Sequence, residues 1–149
     1  MAKIIVKFKL RALRADILTD SDKREIGQTL VDSVKEYVGR GLSPVRGTGR
    51  FVAYKDPKKY PGDRKAKRPV NLRLTGAMMD ALKYRLKGSK VELYLDPQPD
   101  YAIVHQDGSD KVPRRTFLPR EKLGEKFVVS IMDEVKKIIS KAVKRFANK

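Results

Sequence analysis

The sequence predicts an α+β fold, and three stretches carry that reading. Residues 3–10 place Ile4, Val6, Phe8 and Leu10 on one parity and Lys3, Lys7 and Lys9 on the other, with Ile5 the one exception. This period of two marks a half-buried strand. Ile26, Leu30, Val34 and Val38 recur at intervals of four, and Val128, Ile131, Val135, Ile138, Ala142 and Phe146 recur at threes and fours. Both are helical spacings with a single apolar stripe, which needs a sheet or another helix to cover it. A small, mostly antiparallel sheet packed against two long helices and one short one buries all of these stripes.

Taken in chain order, the first helix is announced by its start and stop. Thr19 or Ser21 can cap it, and Asp20, Asp22 and Glu25 lie in or near the first turn, where carboxylates suit the helix dipole. Gly39 and Gly41 supply the end. Residues 42–73 form an extended, irregular segment broken by Pro44, Gly47, Gly49, Pro57, Pro61, Gly62 and Pro69. Loops longer than about 12–15 residues in a compact domain are usually functional or disordered. Thr75 reads as the cap of a short helix reaching Leu86, with Met78, Met79 and Leu82 apolar and Gly88 ending it. Val91, Leu93 and Leu95 alternate with Glu92, Tyr94 and Asp96 in a second strand, closed by Pro97 and Pro99. A polar stretch with Asp107, Gly108 and Asp110 leads to Pro113, and the final helix is expected over residues 120–146.

The chain has 149 residues, the size of one ordinary domain, so a single α+β domain over residues 1–149 is expected. It contains no cysteine, which rules out disulfides, thiolate metal sites and a cysteine nucleophile. Lysines interrupt the first ten residues, which therefore lack the apolar run of a signal peptide, and no stretch is long enough to span a bilayer. The expected setting is the cytoplasm or an assembly built there, with no membrane partner.

Charge dominates the surface chemistry. Lys plus Arg number 35 against 18 Asp plus Glu, a formal net charge of +17. So strong an excess favours nucleic acid or other anionic partners and says nothing about fold. It is concentrated in the segment 42–73, where Arg46, Arg50, Lys55, Lys58, Lys59, Arg64, Lys65, Lys67, Arg68 and Arg73 face only Asp56 and Asp63. Phe51, Tyr54 and Tyr60 are interleaved and could stack on bases. The same residues could equally dock on an acidic protein surface. The zinc-finger, basic-zipper and aromatic ribonucleoprotein patterns are missing.

Catalytic signals are weak. The lone histidine, His105, has Ser109 and Asp107 near it but no nucleophile elbow or glycine-rich oxyanion turn, and it reads as a histidine bonded to a turn. Asp96, Asp100, Asp107 and Asp110 do not follow the calcium-loop spacing, and carboxylates among prolines and glycine are mostly turn formers. Gly49 is followed by Arg50 and Phe51 rather than the lysine and hydroxyl of a phosphate loop. The expected protein is not an enzyme and uses no cofactor or metal.

Three segments resemble those of the virion-morphogenesis, or tail-completion, proteins of tailed bacteriophages. Leu74-Thr75-Gly76 followed by a short helix is similar to their leucine-threonine-glycine segment. Tyr101-Ala102, His105-Gln106 and Gly108 resemble their next motif, and Pro113, Arg115, Phe117 and Leu118 a third, followed by a long last helix. Residues 42–51 are similar to a proline-glycine loop of some members. The likeness spans residues 42–146 and departs from the family at Arg114, Arg115 and Thr116, where alanine is common. It implies a structural α+β subunit that forms a ring, often hexameric, at the head–tail junction of the virion, as a neck, tail-completion or tail-terminator protein. Its implied partners are copies of itself, the neighbouring neck, connector and tail-tube proteins, and genomic DNA passing through.

Overall fold

The computed structural model describes residues 3–9, 17–51, 77–88, 90–110 and 113–148. Its elements run β1 (Ile5–Lys9), α1 (Asp20–Gly39), α2 (Ala77–Asp80), β2 (Leu82–Lys87), β3 (Lys90–Leu95), α3 (Ala102–Asp107), one 3-10 turn (Glu121–Leu123) and α4 (Val129–Ala147). The strands form one antiparallel sheet in the order β1-β3-β2, with Lys7 opposite Glu92 and Glu92 opposite Arg85. This is the α+β architecture the periodicities imply.

In register, Ile4 and Val6 of the first strand, Leu82 of β2 and Val91, Leu93 and Leu95 of β3 turn toward one core. α1 packs against β2 and β3, and α4 packs against α1. Ile26, Leu30, Val34 and Val38 of α1 and Ile131, Val135, Ile138 and Ala142 of α4 are buried, so both stripes read from spacing are covered over these residues, whereas Phe146, read as the end of the second stripe, is 42% exposed. Thr19 is the α1 cap: its hydroxyl accepts from the Asp22 amide at 3.1 Å, and the Asp22 carboxylate accepts from the Thr19 amide at 2.9 Å. This capping box satisfies two of the amides a helix start leaves open. Arg145 of α4 donates to the same carboxylate, fastening the end of α4 to the start of α1. Burial raises the Asp22 pKa, but the Thr19 amide and the Arg145 guanidinium outweigh it and hold the carboxyl below its ordinary range.

The structure corrects the sequence expectation in several places. The short helix ends at Asp80, and Leu82–Lys87 is a strand. Leu82, Tyr84 and Leu86 alternate with Lys83, Arg85 and Lys87, a period of two that outcompetes the helical reading once β3 lies alongside. The Thr75 cap lies outside the described residues. A second short helix, α3, not anticipated from the sequence, runs just ahead of the polar stretch and reaches it at Asp107. The last helix begins at Val129 rather than at residue 120. Its expected first turns are instead a clasp, in which the Arg120 amide and guanidinium bind the Glu125 carboxylate at 2.9 and 2.8 Å and Gly124 takes φ +69°. Glu92, on the opposite parity to the apolar residues of β3, is 1% exposed. The Arg85 hydrogen bond at 2.7 Å outweighs burial and keeps its carboxyl below the usual range.

Candidate partner-binding surfaces

The resemblance residues that the structure describes converge on one buried latch. Gln106, on α3, is 3% exposed and its side chain binds three main-chain groups of the segment that follows. Its amide nitrogen donates to the Leu118 carbonyl at 2.6 Å, and its oxygen accepts from the Phe117 and Leu118 amides at 3.0 and 3.2 Å. The Thr116 hydroxyl donates to the Gln106 carbonyl at 2.9 Å, and the Arg115 amide donates to the His105 carbonyl at 2.6 Å. Ser43 extends the latch to the turn after α1, its hydroxyl donating to the Thr116 carbonyl at 2.6 Å and accepting from the Val45 amide at 3.1 Å. Phe117 and Leu118, delivered by this segment, are fully buried. Gly108 has φ +78°, and a Cβ there would stand 3.0 Å from the Arg114 main chain, so the turn between motif pieces requires glycine. Pro113 is half-buried and starts the extended run, while Tyr101 is exposed and meets the His105 ring edge-on at a centroid distance of 6.0 Å. Gly76 lies outside the described residues, as does Thr75.

His105 departs from its expected role. Its Nδ1 is buried with no hydrogen-bond partner among the described residues, and main-chain bonds such as that from the Arg115 amide to the His105 carbonyl hold the turn. Burial first, and then the positive charge of Arg115, pushes its pKa down. Both favour the neutral ring. The four aspartates do not gather: Asp107 binds Arg120 at 3.2 Å and Asp96 lies 3.9 Å from Lys83. Among the described residues no three His, Cys, Asp or Glu side chains are placed to hold a metal ion, and no helix is long and apolar enough to cross a membrane.

Within the basic segment the described residues are 42–51. Its first part folds back on α1: the Ser43 amide donates to the Gly49 carbonyl at 2.8 Å, the Phe51 amide to Gly41 at 2.9 Å, and Val45 bridges Phe127. Arg46 and Arg50 are exposed on this turn. Lys55, Lys58, Lys59, Arg64, Lys65, Lys67 and Arg68 lie outside the described residues.

Two surfaces were not singled out by sequence reasoning. The first is the outer face of the sheet. Lys83, Arg85 and Lys87 of β2 project there beside Lys7 of β1, around the buried Glu92, and the Arg85 guanidinium sits 4.6 Å from the centre of the Tyr94 ring. The alternation of lysine and leucine in residues 82–87 was the available signal, but it was absorbed into a helix. The second is an open cleft of about 720 Å³ beside β1, walled by residues 6–8, by Phe127 and its neighbours, and by Met132 and Lys136 of α4. It lies between β1 and α4, while α1 covers β2 and β3 and α4 leans on α1. No sequence signal foretells a gap between elements. Comparison of this chain with protein-family models, with curated proteins and with solved structures finds no match.

Proposed function

We propose that the protein is a non-enzymatic structural subunit of a tailed-bacteriophage virion, working at the head–tail junction as a ring-forming neck, tail-completion or tail-terminator protein. The observation that carries this reading is the latch around Gln106. Two motif segments singled out separately in the sequence, one ending at Gly108 and one starting at Pro113, close on each other through buried hydrogen bonds. Residues shared with a family for reasons of framework should behave in this way, whereas a catalytic set would converge on a cleft. Among the described residues the framework leaves two sheet edges, a basic outer sheet face and an open cleft available to neighbours, which suits a subunit whose task is contact with other proteins.

Native mass spectrometry of the purified protein at moderate salt tests the proposal. A discrete closed oligomer, a hexamer by the family resemblance, is the expected result. The second reading is a basic nucleic-acid-binding protein, favoured by Lys83, Arg85 and Lys87 standing on one face of β2. A monomer at every concentration, binding duplex DNA with an affinity that falls steeply with salt, would replace the first reading with the second.

A further inference from the structure

The cleft beside β1 combines features that point to one kind of ligand. Val6, Lys7 and Phe8 are consecutive, and in a strand they face alternately to opposite sides of the sheet. All three nevertheless line the same cleft, so it runs along the strand's edge rather than over one face. That edge is open: β1 pairs with β3 on one side, and among the described residues no strand pairs with the other. An open edge offers a row of main-chain donors and acceptors that a further strand can use.

The cleft's floor and rim restrict which strand would fit. Phe8 and Met132, both half-buried, supply apolar surface next to the edge, with Phe127 and Pro119 buried beneath them. Arg46, Lys126 and Lys136 stand around it and, among the described residues, form no salt bridge. Among the described residues the one carboxylate in the wall, Glu125, is held by the Arg120 guanidinium at 2.8 and 2.9 Å, which keeps its pKa low and its charge spent. We infer that the cleft is a docking site for an extended, acidic segment of another protein, which adds to the sheet as a fourth strand beside β1. Its alternate apolar side chains would lie on Phe8 and Met132, and its carboxylates would meet Arg46, Lys126 and Lys136. A second copy of this chain is a poor donor, because its own edge strands, Ile5–Lys9 and Leu82–Lys87, carry two and three cations and would bring like charges together. Nucleic acid fits less well, since phosphates gain nothing from an apolar floor. The inference holds whether or not the chain forms a ring.

The test uses a fluorescent heptapeptide, Glu-Val-Asp-Ile-Glu-Val-Asp, and two versions N-methylated on alternate amides, one set for each edge of the added strand. Saturable one-to-one binding to the full chain is expected, lost on methylation of one set and kept on methylation of the other. Hydrogen exchange of the β1 amides should slow in the complex. The exposed pair Lys126→Glu with Lys136→Glu should weaken binding by about tenfold or more, because two attractive charges become repulsive. The inference is overturned by absence of binding, by equal binding of both methylated peptides, or by an unchanged double variant. It is also overturned if a duplex oligonucleotide displaces the peptide while giving the same protection of β1, which would make the cleft a phosphate site.

Discussion

Replacing Gln106 with leucine removes three hydrogen bonds without removing much volume, and so isolates the latch from packing. The Phe117 amide, the Leu118 amide and the Leu118 carbonyl all lose their partner, at a place where Phe117 and Leu118 are 0% exposed and water has no access. A buried polar group left unpaired costs about 1–3 kcal/mol. Two of the three donors and acceptors share one oxygen, so the sum is smaller than three independent losses, about 3–5 kcal/mol. Set against a typical domain stability of about 5–15 kcal/mol, this is a large part of the total. Urea unfolding followed by circular dichroism should show a lower midpoint with an unchanged slope. A loss below about 1 kcal/mol would refute the latch as a stabilising device. Gln106→Glu adds a check on geometry. Its second oxygen would face the Leu118 carbonyl, which favours the protonated acid and raises the folded pKa above the unfolded value of about 4.3. A raised pKa makes the variant's deficit smallest below that value and larger as pH rises through it, whereas the leucine variant's deficit should be flat.

Gly27 lies in the middle of α1, where glycine normally costs about 1 kcal/mol relative to alanine. A Cβ at this position would stand 2.4 Å from Cδ2 and 2.6 Å from Cγ of the Tyr84 ring, so Gly27→Ala should destabilise by about 1–2 kcal/mol despite its better propensity. In a Tyr84→Ala background the same change should become neutral or stabilising, and a thermal-denaturation cycle that finds simple additivity would refute the contact. His105 is the only histidine in the chain and its pKa is pushed down in the fold. The unfolded chain then binds more protons below about pH 6.5, so stability should fall as pH drops through that value. His105→Leu should abolish the slope between about pH 7 and pH 5.5, and a slope that persists would assign it to other groups.

Much of the fold was legible because its longest elements each bury one continuous stripe. The spacing of Ile26 to Val38 and of Ile131 to Ala142 is local information, and the covered faces of α1 and α4 follow from it. Residues 82–87 were not legible, because Met78, Met79 and Leu82 satisfy helical spacing over a window as short as theirs, and only pairing with β3 tips Leu82–Lys87 into a strand. The latch was half legible. The motif residues were visible, but that Gln106 is their hub depends on α3 meeting a segment ten to twelve residues later.

The sequence by itself determined what depends on neighbours along the chain: the period-two and period-four patterns, a cap for α1 at Thr19 or Ser21 and the charge of +17. Only the tertiary structure decided what depends on neighbours in space. It buried Glu92 against Arg85 in the central strand, and it spent Asp22 twice, on its own helix and on Arg145. It also opened the cleft at the edge of β1, because the direction in which α4 crosses α1 is set by side chains far apart in the chain, and no local pattern encodes where two elements fail to touch.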